Sequence, residues 1–178
     1  MRPTKFSLKN GINKKLLMRY ACSTMSLKVE IKGMKHGDLI PSEFTCEGIN
    51  HSPELIITGV PAGTRSLALI VEDPDAPVGL FVHWVIYDIE PAVTKLRGGI
   101  EKTPKTGEGF LQGKNDFGRV GYDGPCPPKG HGFHRYFFRL FAVSSLLSIR
   151  ENATRESILK AMEGKIIEQA EFMGRYKR

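Results

Sequence analysis

Cysteine is scarce in this sequence, with three residues in a chain of 178. So few cysteines do not indicate a disulfide-rich scaffold, and no Cys-x-x-Cys pair is present to suggest a zinc site. Cys46 and Cys126 both lie in turn-rich segments near polar motifs, so a disulfide between them stays open. Two reduced cysteines that behave as small hydrophobic residues are favoured, because disulfides are rare in the cytoplasm of a mesophile.

The sequence also lacks a long apolar run. No segment approaches the roughly 18 consecutive apolar residues of a membrane-spanning helix. The short run Leu16-Leu17-Met18 is too short for the core of a signal peptide, and Arg19 interrupts it. We therefore expect a cytoplasmic protein without a transmembrane segment. Peripheral membrane contact and formation of a homodimer stay open.

Acidic residues are missing from the N-terminal part of the chain. Residues 1–25 contain six Lys and Arg side chains and no Asp or Glu, whereas the other 153 residues contain 20 basic and 19 acidic side chains. The net charge of +7 therefore belongs mainly to this segment, and no RNA-binding or helix-turn-helix signature accompanies it. We expect a disordered extension or the product of an upstream start codon at 1–25, one domain at 26–178, and no nucleic-acid partner.

Several catalytic motifs are absent or incomplete. The sequence has no Gly-x-Ser-x-Gly nucleophile elbow. The segment that begins at Glu108 resembles a P-loop only superficially, because Glu108 replaces the first glycine and Asn115 stands where Ser or Thr would hold magnesium. Asp73, His131 and His134 could be drawn as metal ligands, but the two-residue gap between the histidines is not diagnostic. We expect neither a metal site nor an enzyme.

Short strand-like runs punctuated by Gly and Pro are present instead. They are Leu27–Ile31, Glu54–Thr58, Ser66–Glu72, Phe81–Ile89 and Arg135–Val143. This spacing favours antiparallel sheets over a βαβ array. Alternation along a strand puts His83 on one face with Phe81, Val85 and Tyr87, and puts His134 on one face with Tyr136. Residues 90–132 form a long irregular stretch, which in a compact domain is usually functional.

One helix is predicted, at residues 154–173. Its apolar stripe consists of Ile158, Met162, Ile166, Ala170 and Met173, and Gly174 is a natural stop. The expected role of this helix is to cover an open face of a sheet. The fold class is therefore α+β, predominantly β, with an antiparallel β-sandwich and a C-terminal helix packed on the sheet.

The segment Asp73-Pro74-Asp75-Ala76-Pro77 follows a buried strand directly. Proline supplies no N–H and biases the residue before it towards an extended backbone, so the chain must leave the sheet here in a fixed shape. Carboxylates that a rigid turn presents at the end of a strand suit ligand binding better than folding. This segment is therefore a candidate binding site.

Histidines lie near the ends of two other predicted strands. If His83, His134 and Asp73 converge, with Tyr136 and the stiff turn 127–130 beside them, they form a small polar pocket. Imidazoles that titrate near neutral pH attract an anion and donate directional hydrogen bonds to its oxygens. Such a site suits a phosphate ester or another small oxyanion. The alternative for His83 is a hydrogen-bonded core residue without a ligand.

Several motifs together resemble those of the phosphatidylethanolamine-binding protein family. They are Asp73–Pro77, Val82-His83-Trp84, Gly121–Gly130 and Gly132-Phe133-His134-Arg135-Tyr136, and they are joined by Ile40–Gly48 and Ala170–Gly174, which resemble the prokaryotic, Raf kinase inhibitor-like branch. The resemblance covers residues 26–178. Residues 1–25 have no counterpart in it, and the C-terminal segment does not match the eukaryotic lid sequence, so the resemblance does not carry kinase regulation over.

This resemblance implies a β-sandwich with a small anion pocket at one end and no catalytic cofactor. The positions that match the family's pocket are Asp73, Asp75, Pro77, His83, Pro128, His134 and Tyr136. Arg135 also matches a motif, but it lies on the opposite face of its strand, which suggests a structural ion pair with a motif carboxylate. The implied ligands are phosphorylated head groups, phosphate-like anions and some nucleotides.

Two functional hypotheses follow. The preferred one is a regulatory protein that binds a small anionic or phosphorylated ligand in the pocket. The alternative is an inhibitor of serine proteases or kinases that acts through exposed loops such as residues 103–109. A hydrolytic enzyme is a poorer option, because no activated nucleophile stands beside the acid and base groups.

Overall fold

The computed structural model describes residues 26–149 and 153–178, and the predicted N-terminal extension lies outside them. The described chain forms eight strands, one α-helix and a short 3-10 helix at Ser42–Phe44. The strands are β1 (Lys28–Ile31), β2 (Leu55–Thr58), β3 (Ser66–Asp73), β4 (Phe81–Ile89), β5 (Lys95–Leu96), β6 (Leu111–Gln112), β7 (His134–Val143) and β8 (Ile166–Tyr176), and the helix is α1 (Arg155–Met162). Each of the five predicted strands is confirmed to within one residue at either end.

The strands form two antiparallel sheets. One sheet has the order β1-β2-β5 and the other has the order β6-β4-β3-β7-β8. Apolar side chains from both sheets pack into one core, to which β3 contributes Leu67, Leu69 and Val71. Both faces of β3 are buried, because its alternate residues Ala68 and Ile70 pack into a second cluster on the opposite face. The predicted β-sandwich is therefore confirmed.

The helix prediction is half wrong. Helix α1 ends at Met162, Gly164 follows with a φ of 70°, and the chain continues from Ile166 as strand β8. Strand β8 pairs with β7 along its whole length, from Ile166 to Tyr176. The apolar residues of this segment do not alternate strictly, because Phe172 packs on the core whereas Met173 lies on the opposite face of the strand. Pairing with the exposed edge of β7, and not the apolar pattern, therefore makes the segment a strand.

Gly174 lies inside β8 instead of ending a helix. A Cβ atom at this position would lie 2.6 Å from Cγ1 of Ile40, so the glycine makes room for Ile40 to pack over the strand. The function assigned to Gly174 from the sequence is therefore wrong. Glycine is required at position 174 because Ile40 packs closely against the backbone of the strand there, and not because a helix ends at this residue.

The N-terminal half of the predicted helix packs on the sheet as expected. Ile158 and Met162 are fully buried in the second apolar cluster, against the face of the five-stranded sheet that points away from the other sheet. Thr154 caps the helix and forms a reciprocal capping box with Ser157. Among the described residues, no helix has the length and hydropathy that crossing a membrane requires.

Candidate ligand-binding site

A pocket of about 300 Å³ lies where three neighbouring strands meet. Strands β4 and β7 both run antiparallel to β3, so their first residues flank the last residue of β3. This topology brings Asp73 at the end of β3 together with His83 near the start of β4 and His134 at the start of β7. The lining residues are Asp73, Ala76, Pro77, Val78, Phe81, His83, Phe117, Cys126, Pro127, Pro128, His134 and Tyr136.

Six of the seven pocket positions expected from the sequence line this cavity, and Asp75 does not. Both carboxylate oxygens of Asp75 accept hydrogen bonds from the Arg135 guanidinium, at 2.7 and 2.8 Å, and Oδ2 also accepts from the Arg135 backbone N–H. Arg135 thereby holds the pKa of Asp75 below its ordinary value. The expected ion pair of Arg135 is present, and it uses the carboxylate that was assigned to the ligand.

A β-bulge determines the direction in which His83 points. Val71 pairs with Trp84 and Glu72 pairs with Val82, which leaves His83 as an extra residue in β4. A bulge of this kind bends the strand and re-aims a side chain, and it is common beside functional sites. The His83 ring therefore lies in the pocket, at the end of the sheet.

The bulge also corrects the face assigned to His83. His83 keeps contact with Phe81, with ring centroids 5.3 Å apart. Val85 and Tyr87, which strict alternation places on the same face, pack instead in the cluster beneath α1. The His83 ring contacts the Tyr136 ring edge to face at 5.2 Å. A pattern with a period of two cannot show an inserted residue, so the bulge could not be predicted from the alternation.

The hydrogen bonds of His83 fix its tautomer. The Asp123 backbone carbonyl lies 2.7 Å from Nδ1 and can only accept, so Nδ1 carries the proton. Burial lowers the pKa of His83, although the Asp123 carbonyl and the Asp73 carboxylate both act against this shift. A neutral ring with Nδ1 protonated presents the lone pair of Nε2 to a ligand.

Asp123 is itself held firmly. Its buried carboxylate accepts hydrogen bonds from Lys102 Nζ at 2.8 Å, Arg119 Nε at 3.0 Å and Asn115 Nδ2 at 2.8 Å. These bonds fix the long connection between β6 and β7 over the sheet. They also position the carbonyl that orients His83, although the Asp123 side chain does not line the pocket.

His134 is hydrogen-bonded at both ring nitrogens. Nδ1 lies 2.7 Å from Asp73 Oδ2, and Nε2 lies 2.7 Å from Nδ1 of His131. Asp73 and His134 are both buried, whereas His131 is exposed and does not line the pocket. Asp73 also uses Oδ1 to accept the Asp75 backbone N–H, which closes the turn after β3.

The Tyr136 hydroxyl is buried and makes no well-formed hydrogen bond among the described residues, although the Asp73 carboxylate lies within its reach. Burial raises the pKa of Tyr136 well above its ordinary value, and Asp73 adds to this effect through its charge and through a weak hydrogen-bonding interaction. The phenol is therefore a neutral donor at physiological pH. Buried polar groups in native proteins are rarely unpaired, so a donor of this kind inside a pocket points to a ligand or an ordered water molecule.

Aromatic rings and prolines form most of the pocket wall, and the sequence analysis missed several of them. Phe117 packs edge to face against Phe81 at 4.8 Å and against His83 at 5.5 Å. Its turn is built by Asn115, whose side-chain oxygen accepts the backbone N–H groups of Phe117 and Arg119. The one sign of this role in the sequence was that Phe117 is an aromatic residue in an otherwise polar turn.

A disulfide joins Cys46 to Cys126, so the expectation of two reduced cysteines is wrong. The two residues are 80 positions apart in the chain and 5.4 Å apart at Cα. The loop that contains Cys46 packs against the pocket wall, where Gly124 approaches so closely that a Cβ would lie 1.8 Å from the Phe44 carbonyl oxygen. Composition shows how many cysteines are present, but only this packing brings the two together.

The exposed loop at residues 103–109, on which the inhibitor hypothesis depends, is held in place by hydrogen bonds and ion pairs within this region of the chain. Glu101 accepts the Gly107 backbone N–H at 2.7 Å, and Arg97 forms ion pairs with both Glu101 and Glu108. Thr106 is buried and hydrogen-bonds to the Phe110 carbonyl. The loop is thus an ordered surface feature, apart from the residues that line the pocket.

A larger groove of about 620 Å³ lies between the edges of β1 and β8. It is lined by residues 27–30, 34–36 and 170–172, and none of the strand-end motif residues contributes to it. No three His, Cys, Asp or Glu side chains within residues 26–149 and 153–178 are grouped so that they could hold a metal ion. We therefore assign the candidate site to the smaller pocket, where polar groups converge.

Comparisons with known proteins agree with this fold and pocket. The family model described as phosphatidylethanolamine-binding protein matches residues 30–177. A UPF0098 protein of Aquifex aeolicus is 48% identical over 153 residues, which cover 85% of this chain and 89% of that protein. A UPF0098 protein of Pyrococcus horikoshii is 45% identical over 159 residues, which cover 86% of this chain and 78% of that protein.

Two solved structures are similar as well. The phosphatidylethanolamine-binding protein homologue CT736 from Chlamydia trachomatis superimposes with a TM-score of 0.78 at 38% identity, covering 86% of this chain and 98% of that one. E. coli YbcL, described as a member of the mammalian PEBP family, gives a TM-score of 0.79 at 32% identity, covering 86% of this chain and 99% of that one.

Proposed function

Because this chain belongs to the phosphatidylethanolamine-binding protein family, we propose that it is a non-catalytic binding protein whose pocket receives a phosphate-containing group. Candidate ligands are a phospholipid head group, a phosphorylated small molecule or a phosphorylated residue of another protein. The proposed role is regulatory. A protein that binds a ligand without converting it can change only how much free ligand is available, or how the ligand-bound protein itself behaves.

The observation that carries this proposal is the buried Tyr136 hydroxyl, which makes no well-formed hydrogen bond within the described residues because the one carboxylate within its reach, that of Asp73, is already used by Asp75 N–H and His134. A buried donor without an acceptor destabilises a protein unless a ligand or water pairs with it. Phosphate oxygens are strong acceptors, and a hydrogen bond to a charged oxygen is about twice as strong as one between neutral groups. Tyr136 lines the pocket with His83 and Asp73, so a ligand oxygen that reaches the phenol also meets the imidazole.

The second support comes from His83. Its Nε2 has no hydrogen-bond partner in the described part of the chain, and the ring is neutral because burial lowers its pKa. Nε2 can accept a proton from the P–OH group of a phosphate monoanion, or it can take up a proton and donate to P–O⁻. Both routes favour binding at lower pH.

The lining residues do not favour catalysis. None of them is Ser, Thr or Lys, and Cys126 is bonded to Cys46. The remaining groups that could act as nucleophiles are constrained, because both oxygens of Asp73 and both ring nitrogens of His134 are engaged within the protein and the Tyr136 phenol is neutral. The volume of about 300 Å³ suits a single phosphoryl group with a small substituent.

The test is a calorimetric titration with inorganic phosphate and with phosphoethanolamine. Tyr136→Phe removes only the hydroxyl, and we expect it to weaken binding by about tenfold, the effect of losing one hydrogen bond to a charged group. Tyr122→Phe is the matched control, because Tyr122 is equally buried but donates to the Phe44 carbonyl and does not line the pocket.

Substitution of the histidines extends the test to the rest of the pocket. We expect His83→Ala and His134→Ala to weaken phosphate binding as well. If phosphate binds to both variants with the affinity of the unaltered protein, the pocket is not the binding site. The inhibitor hypothesis predicts instead that inhibition of a serine protease or kinase survives these substitutions and is lost when residues 103–109 are shortened.

A further inference from the structure

His131 makes a contact that the proposed function leaves unused. Its Nδ1 lies 2.7 Å from Nε2 of His134, whose other nitrogen is bonded to Asp73. Both nitrogens of His134 are thus occupied by partners within the protein. A ligand in the pocket cannot hydrogen-bond to His134 while this contact is present.

The His134 ring separates two depressions. On one side lies the pocket, and on the other lies an open depression that His134 lines together with Asp75, His131, Phe133, Arg135 and Arg175. His131 borders only the outer depression. It therefore meets Nε2 of His134 from the side of the outer depression.

The backbone around His131 is held by hydrogen bonds from His131 N–H to the Pro128 carbonyl and from Gly130 N–H to the Arg178 carbonyl, but the His131 side chain has room to rotate. His131 is exposed, and it stands between Gly130 and Gly132, whose φ values are 77° and 91°. Neither glycine has a heavy atom within 4 Å of the position a Cβ would occupy. Within the described residues, the only hydrogen bond of the His131 side chain is the one to His134. Outward rotation therefore breaks one hydrogen bond, and water can replace it.

We propose that His131 controls whether His134 takes part in ligand binding: it occupies Nε2 in the unliganded protein, and a ligand oxygen replaces it. This inference rests on the proposed function. A neutral His134 would accept a proton from P–OH through Nε2, and a protonated His134 would donate to P–O⁻, so either form requires His131 to leave. An anionic oxygen makes a stronger bond than an imidazole does, which favours the exchange.

The consequence is that His131 lowers the affinity for the ligand. Each binding event must first break the contact between His131 and His134. The free energy needed to break it reduces the net free energy that the ligand gains by bonding to His134. Removing His131 pre-organises His134 for the ligand. Its role is therefore one of positioning and competition, in contrast to the direct contacts of Tyr136 and His83.

The experiment is a double-mutant cycle with inorganic phosphate as the probe. We expect His131→Ala to increase phosphate affinity about fivefold, the equivalent of one ordinary hydrogen bond. We expect His134→Ala to weaken phosphate affinity only about twofold in the presence of His131, and about tenfold in the His131→Ala background. His36→Ala, which removes an exposed imidazole beside the groove between β1 and β8, is the control for loss of a surface histidine.

A second measurement avoids dependence on a buried substitution. Imidazole ¹⁵N NMR of the unaltered protein reports the hydrogen bond at Nδ1 of His131 directly, and we expect its signature to disappear when phosphate is added. If phosphate binds and the contact persists, or if His131→Ala binds phosphate no more tightly than the unaltered protein, His131 does not compete with the ligand. If no variant binds phosphate, the proposed function fails and this inference fails with it.

Discussion

The Tyr136 hydroxyl is the single atom on which the proposed site depends most directly. A tyrosine inside an apolar core usually finds a partner for its O–H group, and Tyr122 does so by donating to the Phe44 carbonyl. Tyr136 has no such partner among the described residues. This difference between two equally buried phenols separates a residue that stabilises the fold from one that is prepared for a ligand.

The pKa of His83 leads to a prediction about stability. Because burial lowers this pKa, the unfolded chain binds a proton at a higher pH than the folded protein does. In the unfolded chain the pKa of a histidine is about 6.5. The stability contributed by neutral His83 is therefore complete above this pH, and it is lost as the pH falls towards the lower pKa of His83 in the folded protein. The slope can reach about 1.4 kcal/mol per pH unit.

Urea denaturation between pH 5 and pH 8 measures this effect. We expect the free energy of unfolding to fall more steeply below about pH 6.5 in the unaltered protein than in His83→Gln, which cannot titrate. Added phosphate should reduce the fall, because a bound anion favours the protonated ring. Equal pH dependence in the two proteins would show that His83 does not titrate differently in the folded state.

At the scale of single residues, the sequence identified most of the candidate site. Asp73, His83, His134 and Tyr136 were selected because polar groups at strand ends rarely serve the core. The rigid turn and the family resemblance both place Asp75 in the pocket with Asp73, yet the Asp75 carboxylate pairs with Arg135 instead. Only the position of Arg135 on the neighbouring strand shows which carboxylate is already paired.

At the scale of secondary structure, the β-bulge at His83 and the strand β8 show two different limits of sequence patterns. A bulge inserts one residue without changing the apolar character of the strand, so alternation assigns the wrong face beyond it. In β8 the spacing of the apolar residues favours a helix, and pairing with the edge of β7 makes the segment a strand instead. Both outcomes depend on a neighbouring strand, which local sequence does not specify.

The disulfide gives a prediction at this scale. Cys46 and Cys126 close a loop of 80 residues and tie the segment after the 3-10 helix to the pocket wall. We expect the Cys46→Ser/Cys126→Ser protein to lose roughly 2–5 kcal/mol of stability, mainly because its unfolded chain is less constrained. Phosphate affinity should fall as well, because Pro127 and Pro128 follow Cys126 directly in the wall.

Guanidinium denaturation and phosphate titration of this variant measure both effects. Cys22→Ser is the control, since it removes the third cysteine without touching the disulfide. The unaltered protein under a thiol reductant should behave like the double variant if the disulfide is accessible, and Cys46 is exposed. A double variant with full stability would show that the packing around Gly124 holds the loop without the disulfide.

At the scale of the whole molecule, the family model begins at residue 30 and the two-sheet core begins at Leu27. We predict that a protein lacking residues 1–25 keeps its fold and keeps its phosphate affinity within about twofold, although its net charge falls from +7 to +1. The pocket is lined by residues between Asp73 and Tyr136, so the shortened protein keeps all of these lining residues.

Circular dichroism and phosphate titration of the shortened protein provide the check. Titration at low and at physiological salt separates long-range attraction by the basic segment from direct contact. A tenfold loss of affinity that persists at physiological salt would mean that residues 1–25 contribute to the site.

The sequence by itself determined five of the eight strands, the turn after β3 and the residue types that bear chemistry, because these depend on local periodicity, on the fixed φ of proline and on the rarity of polar groups at strand ends. The tertiary structure alone decided that β8 is a strand, that His83 points into the pocket, that Asp75 is paired and that Cys46 meets Cys126. Each of these depends on a partner distant in the chain, and the energy of pairing with that partner exceeds any local preference of the backbone.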